Sequence, residues 1–419
     1  MATSFMRLGS ANTYDNSLRN LASRQSSLSG LQEQMTAGKR VVRASDDPTS
    51  AAQAERAMTR LDRVKTEQRA LEVQKNSLAM AESTLGDALG AMQRFRELAV
   101  SAGNAAYGSN ERVQIVNEMK TLRDQILSYA NRTDTNGMPL FGGLGSSSAP
   151  FLDGIDGVTF QGLAGQPTSG DNAIPFVLDG ESTWMSVPTG NGQFTVDLGA
   201  GNASTSTLYT SAGRVDNTTD YAAVQYNALS ITFSVTGTPP VTTYDVMDTT
   251  SGASVVTAQP YKAGQAISIP GYGMSIIANG VPADADVINI TPSPRGAQTS
   301  PTPDGTVFGI VDRLISELST TQAKNQVTQS VTRGLAEIDT AMDRLQRSRG
   351  FAGTLLNKAD SISDLQGARE VQLEADRSRA EDLDMIQAIA DFQNQQTGYD
   401  AALKSYAQIQ KLSLFNYLG

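Results

Sequence analysis

The chain has 419 residues, a net charge of −10 and an isoelectric point near 4.7, with no cysteine and no histidine. That length exceeds the roughly 100 to 200 residues of one domain, so two or three domains are expected. The acidic balance speaks against a nucleic-acid partner, and the missing thiols and imidazoles remove thiolate nucleophiles, disulfides, iron–sulfur ligation and most transition-metal sites, leaving only carboxylate, lysine, serine and tyrosine chemistry formally open.

Met1 to Ser10 lacks the apolar run of a cleavable signal peptide, and no stretch approaches the roughly 18 apolar residues of a membrane span. No membrane contact is expected, and export would need a machine that reads something else. From Ala11 the chain turns amphipathic: Ala11, Tyr14, Leu18, Leu21, Gln25, Leu28, Gln32 and Met35 step by three and four, the spacing of a coiled-coil seam. Gly38 stops that helix, and Lys39 to Ala44 shows no helical stripe. Asp47 is placed to cap the next helix, with Pro48 at its first position, where a missing N–H costs nothing. Asp46 and Asp47 also suggest a metal site, but hard cations need further oxygen ligands at loop spacing and none accompany them.

From Pro48 to about Ala102 the stripe Leu61, Val64, Gln68, Leu71, Lys75, Leu78, Leu85, Leu89, Met92 predicts one helix of roughly 80 Å at about 1.5 Å per residue. Ser101 to Asn104 breaks it, and Ile115, Met119, Leu122, Ile126 and Tyr129 predict an antiparallel return. Met138-Pro-Leu-Phe-Gly-Gly-Leu-Gly145 follows, Gly-rich but without the Gly-Lys-Ser/Thr of a phosphate loop, and reads as the turn leaving a helical hairpin.

From 146 to 303 the composition shifts to Gly, Thr, Ser, Asp and Pro and the period falls toward two. Short strands are predicted at 193–198, 230–235, 267–269, 274–277 and 287–290. Trp184 reads as a core filler. A glycan-binding or enzymatic module here would need aspartates and aromatics converging on one cleft. Asp153, Asp156, Asp245, Asp248, Asp284 and Asp286 are instead scattered among turns.

Helical pattern resumes near Val307 and is expected to run on through Val327, Val331, Leu335, Ile338, Met342 and Leu345. Arg344, Arg347 and Arg349 are expected to pair with Asp339 and Asp343, and a soft break is expected at Gly350 to Gly353. The charges between Glu370 and Asp384 read as a solvated face. The last helix carries a second seam, Met385, Ile389, Phe392, Gln396, Tyr399, Leu403 and Tyr406. Gln25, Gln32 and Gln396 either fix register among subunits or lie at the seam edge.

Taken together, Gly38-Lys-Arg-Val-Val-Arg-Ala-Ser-Asp-Asp-Pro48, Met138-Pro-Leu-Phe-Gly-Gly143, Gly273 to Pro282 with Val287 to Pro292, and Ile409 to Leu418 resemble the bacterial flagellin superfamily. The ending is closer to members at the hook–filament junction than to filament subunits. Pro139 and the softer Gly350 and Gly353 depart from the pattern. The expected fold class is α+β: a long antiparallel helical bundle or coiled coil built from both termini, with a β-rich central insert. Expected divisions are 1–40 with 380–419 as the terminal coiled-coil core, 41–145 with 304–379 as a helical bundle, and 146–303 as an outward-facing insert.

The resemblance implies a non-enzymatic structural adapter of the flagellum, outside the cell, exported unfolded through the flagellar type III apparatus and needing no cofactor. The alternative is a self-polymerising filament subunit. Implied partners are other copies in a ring, a hook-associated protein on the hook side, flagellin on the filament side, and an export chaperone. Assembly would run through Leu18, Leu21, Leu28, Met35, Met385, Ile389, Phe392, Tyr399, Leu403 and Tyr406. The apolar end, Leu403, Leu412, Leu414, Phe415 and Leu418, suits a chaperone groove.

Overall fold

A computed structural model describes residues 10–104, 108–145, 149–168, 170–293, 305–320 and 323–418, with 10–14, 109 and 409–418 described by backbone alone. The chain is α+β and divides into two units, residues 1–70 with 363–419, and residues 71–362.

The first unit holds α1 (Ser10–Ala37), the start of α2 (Pro48–Ala102), the end of α6 (Lys324–Glu381) and α7 (Met385–Leu418). Its buried apolar cluster is small, Leu61 and Val64 of α2 against Leu373 of α6. Beside it Gln68 donates to Glu370 at 3.1 Å, and Lys65 lies 3.7 Å from the same carboxylate.

The second unit contains two cores. In the first, α2 packs with α3 (Ser109–Ala130), α5 (Val307–Ser319) and α6 around Leu78, Leu85, Met92, Phe95, Met119 and Ile126, all 1% exposed or less. The turn after α3 belongs to this core: Leu140 and Phe141 are fully buried, and Leu178 N–H donates to the Leu140 carbonyl at 2.9 Å. Pro139 is accommodated in an isolated bridge with Thr133. The hairpin β1 (Phe151–Gly154) and β2 (Gly157–Phe160) and a π-helical turn, Glu181–Met185, close it. Trp184 is the core filler expected from sequence, fully buried, stacked on Phe308 with centroids 5.9 Å apart and edge-on to Phe141 at 5.5 Å. Gly180 beneath it has no room for a side chain, since a Cβ there would stand 2.3 Å from the Phe141 carbonyl oxygen.

The second core is a β module. One antiparallel sheet runs β3 (Phe194–Leu198), β11 (Val287–Pro292), β6 (Leu229–Thr236), β7 (Val241–Asp248), β8 (Ser254–Pro260). The other runs β4 (Tyr209–Thr210), β10 (Met274–Asn279), β5 (Arg214–Val215), with β9 (Ala266–Ile269) also on β10. Their inner residues, with Tyr221 of the short α4 (Thr218–Val224), form one cluster around Phe194, Ile231, Phe233, Ile276 and Ile288. The stretch expected as a single insert thus contributes to both cores, its first third to the helical one. Side chains of α6 lash the module down. Gln329 accepts from Thr210 N–H at 2.7 Å and donates to the Val196 carbonyl at 2.8 Å. Arg333 pairs with Asp197 and Glu317.

Three sequence expectations are corrected. The soft break at Gly350 to Gly353 does not occur, and α6 runs unbroken across it. A helical glycine costs only about 1 kcal/mol, and Leu345, Ala352, Leu355 and Ala359 anchor the flanks. The break falls earlier, where α5 ends at Ser319 with Thr320 extended, hidden in the sequence because the apolar spacing carries on from Leu318 to Val327. Finally, Arg344, Arg347 and Arg349 do not take up the expected pairing. Arg344 donates to the Ser182 carbonyl, Arg349 to Glu82 at 2.6 Å, while Asp339 receives Arg96 at 2.7 Å, because neighbouring helices offer better-placed partners than the helix itself.

Candidate assembly interface

The first unit carries a terminal helix pair and an elbow that joins α1 to α2 and to the end of α6. α1 and α7 lie antiparallel: the Leu383 N–H donates to the Gly38 carbonyl at 3.1 Å at the base, and further along Arg24 covers Gly398, where an added Cβ would meet its Nη1 at 2.5 Å.

The elbow explains the Gly38 to Pro48 motif residue by residue. Gly38 takes φ 66°, a left-handed conformation that ends α1. Lys39 pairs with Glu381, and the Arg40 N–H donates to the Glu381 carbonyl at 2.7 Å. The Arg40 guanidinium then bridges three groups, Asp47 at 3.1 Å, the Ser50 hydroxyl at 3.0 Å and the Ala380 carbonyl at 2.9 Å. Val41 is buried beneath. The two aspartates have separate backbone duties. Asp46 accepts from Val42 and Arg43 N–H. Asp47 caps α2 as expected, accepting from the Ser50 N–H at 3.1 Å, and hydrogen bonds from Ser50 and Thr49 hold its carboxyl well below the usual range. Asp384 caps α7 in the same way through Ile386 and Gln387 N–H. Among the described residues no group of acidic side chains is arranged to hold a metal.

The two seams are only partly closed. On α1, Leu21 is buried, Leu28 and Met35 are half-buried, and Leu18 is 42% exposed. On α7, Phe392, Tyr399 and Tyr406 are half-buried, whereas Met385, Ile389 and Leu403 are exposed. The covered arc of α7 is turned away from the expected seam toward Ala388, Gln395 and Ala402, leaving an apolar flank of Met385, Ile386, Ile389 and Leu403 open. Gln25, Gln32 and Gln396 are exposed. Ala11 and Tyr14, and Leu412, Leu414, Phe415 and Leu418 of the expected chaperone contact, have side chains outside the described residues. Sequence reasoning passed over the elbow residues Lys39, Arg40 and Glu381, because their role joins segments 340 residues apart. The small residues Ala388, Gly398 and Ala402 were the available sign that α1 approaches that side.

The charges from Glu370 to Asp384, expected to form a solvated face, are more employed than that: Glu370, Glu374, Asp376 and Glu381 all hold cations, and Asp384 is a cap.

Comparison with known proteins places these features. The family profile described as the bacterial flagellin N-terminal helical region matches residues 10–146, and that of the C-terminal helical region matches 335–418, together more than half of the chain. Among curated proteins, the chain is similar to flagellar hook-associated protein 3 of Escherichia coli (strain K12), 36% identical over 151 residues, which is 35% of this chain and 47% of the relative. It also matches the protein of that name from Salmonella typhimurium, 32% identical over 35% of this chain and 46% of the relative, so it spans about half the length of each. A flagellin of Bacillus subtilis is 32% identical over 30% of this chain and 43% of that one. Among solved structures, FlgL of Xanthomonas campestris superposes with a TM-score of 0.65 at 25% identity, covering 78% of this chain and 99% of that one. The flagellar hook-associated protein 3 of Legionella pneumophila gives 0.67 at 24% identity, over 77% and 97%, a likeness of fold.

Proposed function

This chain belongs to the bacterial flagellin family, and on that premise we propose that it is a structural adapter joining the flagellar hook to the filament. The observation that carries the reading is the half-closed terminal pair. Apolar side chains bring about 1.5 to 3 kcal/mol each when fully covered, and Met385, Ile389 and Leu403, each more than 40% exposed, gain only part of that within the chain and Ile386, 85% exposed, very little. Cover supplied by neighbouring subunits would complete the seam and couple its ordering to assembly. In this reading the segments 1–40 and 380–419 form the coiled-coil core of a ring of copies. A hook-associated protein lies on the hook side, flagellin on the filament side, and 146–303 faces outward. The chain reaches its place outside the cell unfolded through the flagellar type III apparatus, and its apolar C-terminal end meets an export chaperone before assembly.

The family is one of structural flagellar proteins, and three of the scattered aspartates accept backbone hydrogen bonds: Asp245 from Ala258 N–H, Asp284 from Val235 N–H, Asp286 from Ala203 N–H. A second reading, a self-polymerising filament subunit, draws on the match to flagellin. One experiment separates them. Purified protein is added to isolated hook fragments and the distal ends are imaged by electron microscopy. A short cap that stops growing is expected; long filaments would favour the filament subunit, and bare ends would refute both.

A further inference from the structure

A second feature of the first unit lies outside the helix seams. Between the first turns of α2 and the last turns of α6 is an open cleft of about 390 Å³. Its floor is apolar, Ala57, Leu373 and Ala380, and its rim carries three guanidiniums, Arg56, Arg60 and Arg379, the last beside the Asp376 carboxylate, which also lines the cleft. Arg379 shares Asp376 with Gln372. Arg56 and Arg60 are exposed and have no hydrogen-bond or ion-pair partner among the described residues. Like charges one turn apart disfavour a helix, so this pair gives the isolated chain nothing. In a molecule of net charge −10, the cleft is a local excess of positive charge over an apolar floor. Its width is set at one end by Arg40, which ties Ser50 on one wall to the Ala380 carbonyl on the other.

The complement is on the same helix. Glu55, Met58 and Asp62 occupy one face of α2 at i, i+3 and i+7. Both carboxylates are exposed without a side-chain partner among the described residues, and Met58 is 42% exposed between them. An acid–apolar–acid face thus stands beside a basic–apolar–basic cleft, too close along one helix to meet it within a chain.

We propose that this cleft receives the Glu55–Met58–Asp62 face of a second copy, with the carboxylates on the guanidinium rim and Met58 over the Ala57, Leu373 and Ala380 floor. Because donor and acceptor are different faces, the contact is heterologous, and its repetition forms a ring where the rotation closes. The inference rests on the reading that copies stand side by side at the hook end.

Two full-length variants test it, Arg56→Glu with Arg60→Glu, and Glu55→Arg with Asp62→Arg, each checked for an unchanged melting curve. Alone, each should raise the concentration needed to cap hook fragments at least tenfold in low salt, since like charges then face each other. Mixed in equal amounts, the reversed cleft of one meets the reversed face of the other, and capping should return to within about threefold of the unaltered chain. Capping by either variant at the unaltered concentration overturns the proposal. Impairment without rescue on mixing also overturns it, and assigns the cleft to a different flagellar protein. A hook-free arm separates this from failure of the adapter reading. The chain has no cysteine, so Gln53→Cys with Met58→Cys places one thiol in the cleft and one on the face. Mild oxidation of concentrated protein should give a ladder beyond dimers that the Arg56→Glu, Arg60→Glu changes abolish. A ladder with bare hooks upholds the contact and refutes the adapter; no ladder refutes the contact.

Discussion

The β module and the terminal helix pair solve the same problem in opposite ways. In the module, Phe194, Ile231, Phe233, Ile276, Ile288 and Ile290 are at most 1% exposed, and two sheets cover one another. In the pair, Leu21 and Ala388 are buried, but Ile386 is 85% exposed and Met385, Ile389 and Leu403 each exceed 40%. Burial of apolar surface stabilises by about 25 cal/mol per Å², so the module collects nearly all of that term within one chain while the pair collects only part of it. Apolar cover is nearly complete in the module and incomplete on the terminal pair.

The comparison can be broken by mutation. The largest expected effect is at Trp184, which joins Phe141, Phe151 and Phe308 in the helical core of the second unit. Trp184→Ala should cost about 3 to 5 kcal/mol in a denaturant titration. A change as small as that of an exposed site would mean that this core is as loosely closed as the terminal pair.

A smaller effect belongs to the module's buried carboxylate. Asp248 is 1% exposed and accepts from Asn227 and the Tyr272 hydroxyl, both at 2.7 Å, and from Thr250 and Ser251 N–H. Burial alone would raise its pKa, but hydrogen bonds from Tyr272, Ser251 and Asn227 outweigh that and hold it well below 3.8. A depressed folded value means the stabilisation is complete above the unfolded value and is lost as pH falls toward the folded one. The module's melting temperature should therefore fall on acidification below about pH 4. Asp248→Ala should lower stability at pH 7 by about 1 to 3 kcal/mol, leaving four donors without their acceptor, and flatten the acid slope. An unchanged slope would show that another carboxylate sets it.

Much of this arrangement was legible in the sequence where a period repeats. The extent of α2, the antiparallel α3, and strands β3, β6, β9, β10 and β11 follow from spacing of three to four or of two. β7 and β8 were not seen, because Val241 to Asp248 is covered mainly toward its end and Ser254 to Pro260 is a largely exposed edge, so neither alternates cleanly. The pairing of α1 with α7 was legible in the two seams, while the face of α7 covered within the chain centres on Ala388, Gln395 and Ala402. Large apolar residues drew the reading to one flank, while the small Ala388 and Ala402 mark what the helix covers within the chain. The elbow was invisible as a site: its motif could be read, but Arg40 reaching Ala380 is a fact of folding and not of spacing.

The central claim is that the terminal pair is completed by neighbours while the second unit completes itself. Hydrogen–deuterium exchange followed by mass spectrometry, on the free chain and on chain bound to hook fragments, tests it most directly. Residues 10–37 and 385–418 should exchange within seconds in the free chain and become protected on the hook, while peptides from 78–98 and 229–236 stay protected in both. Terminal helices as protected as β6 in the free chain would contradict it.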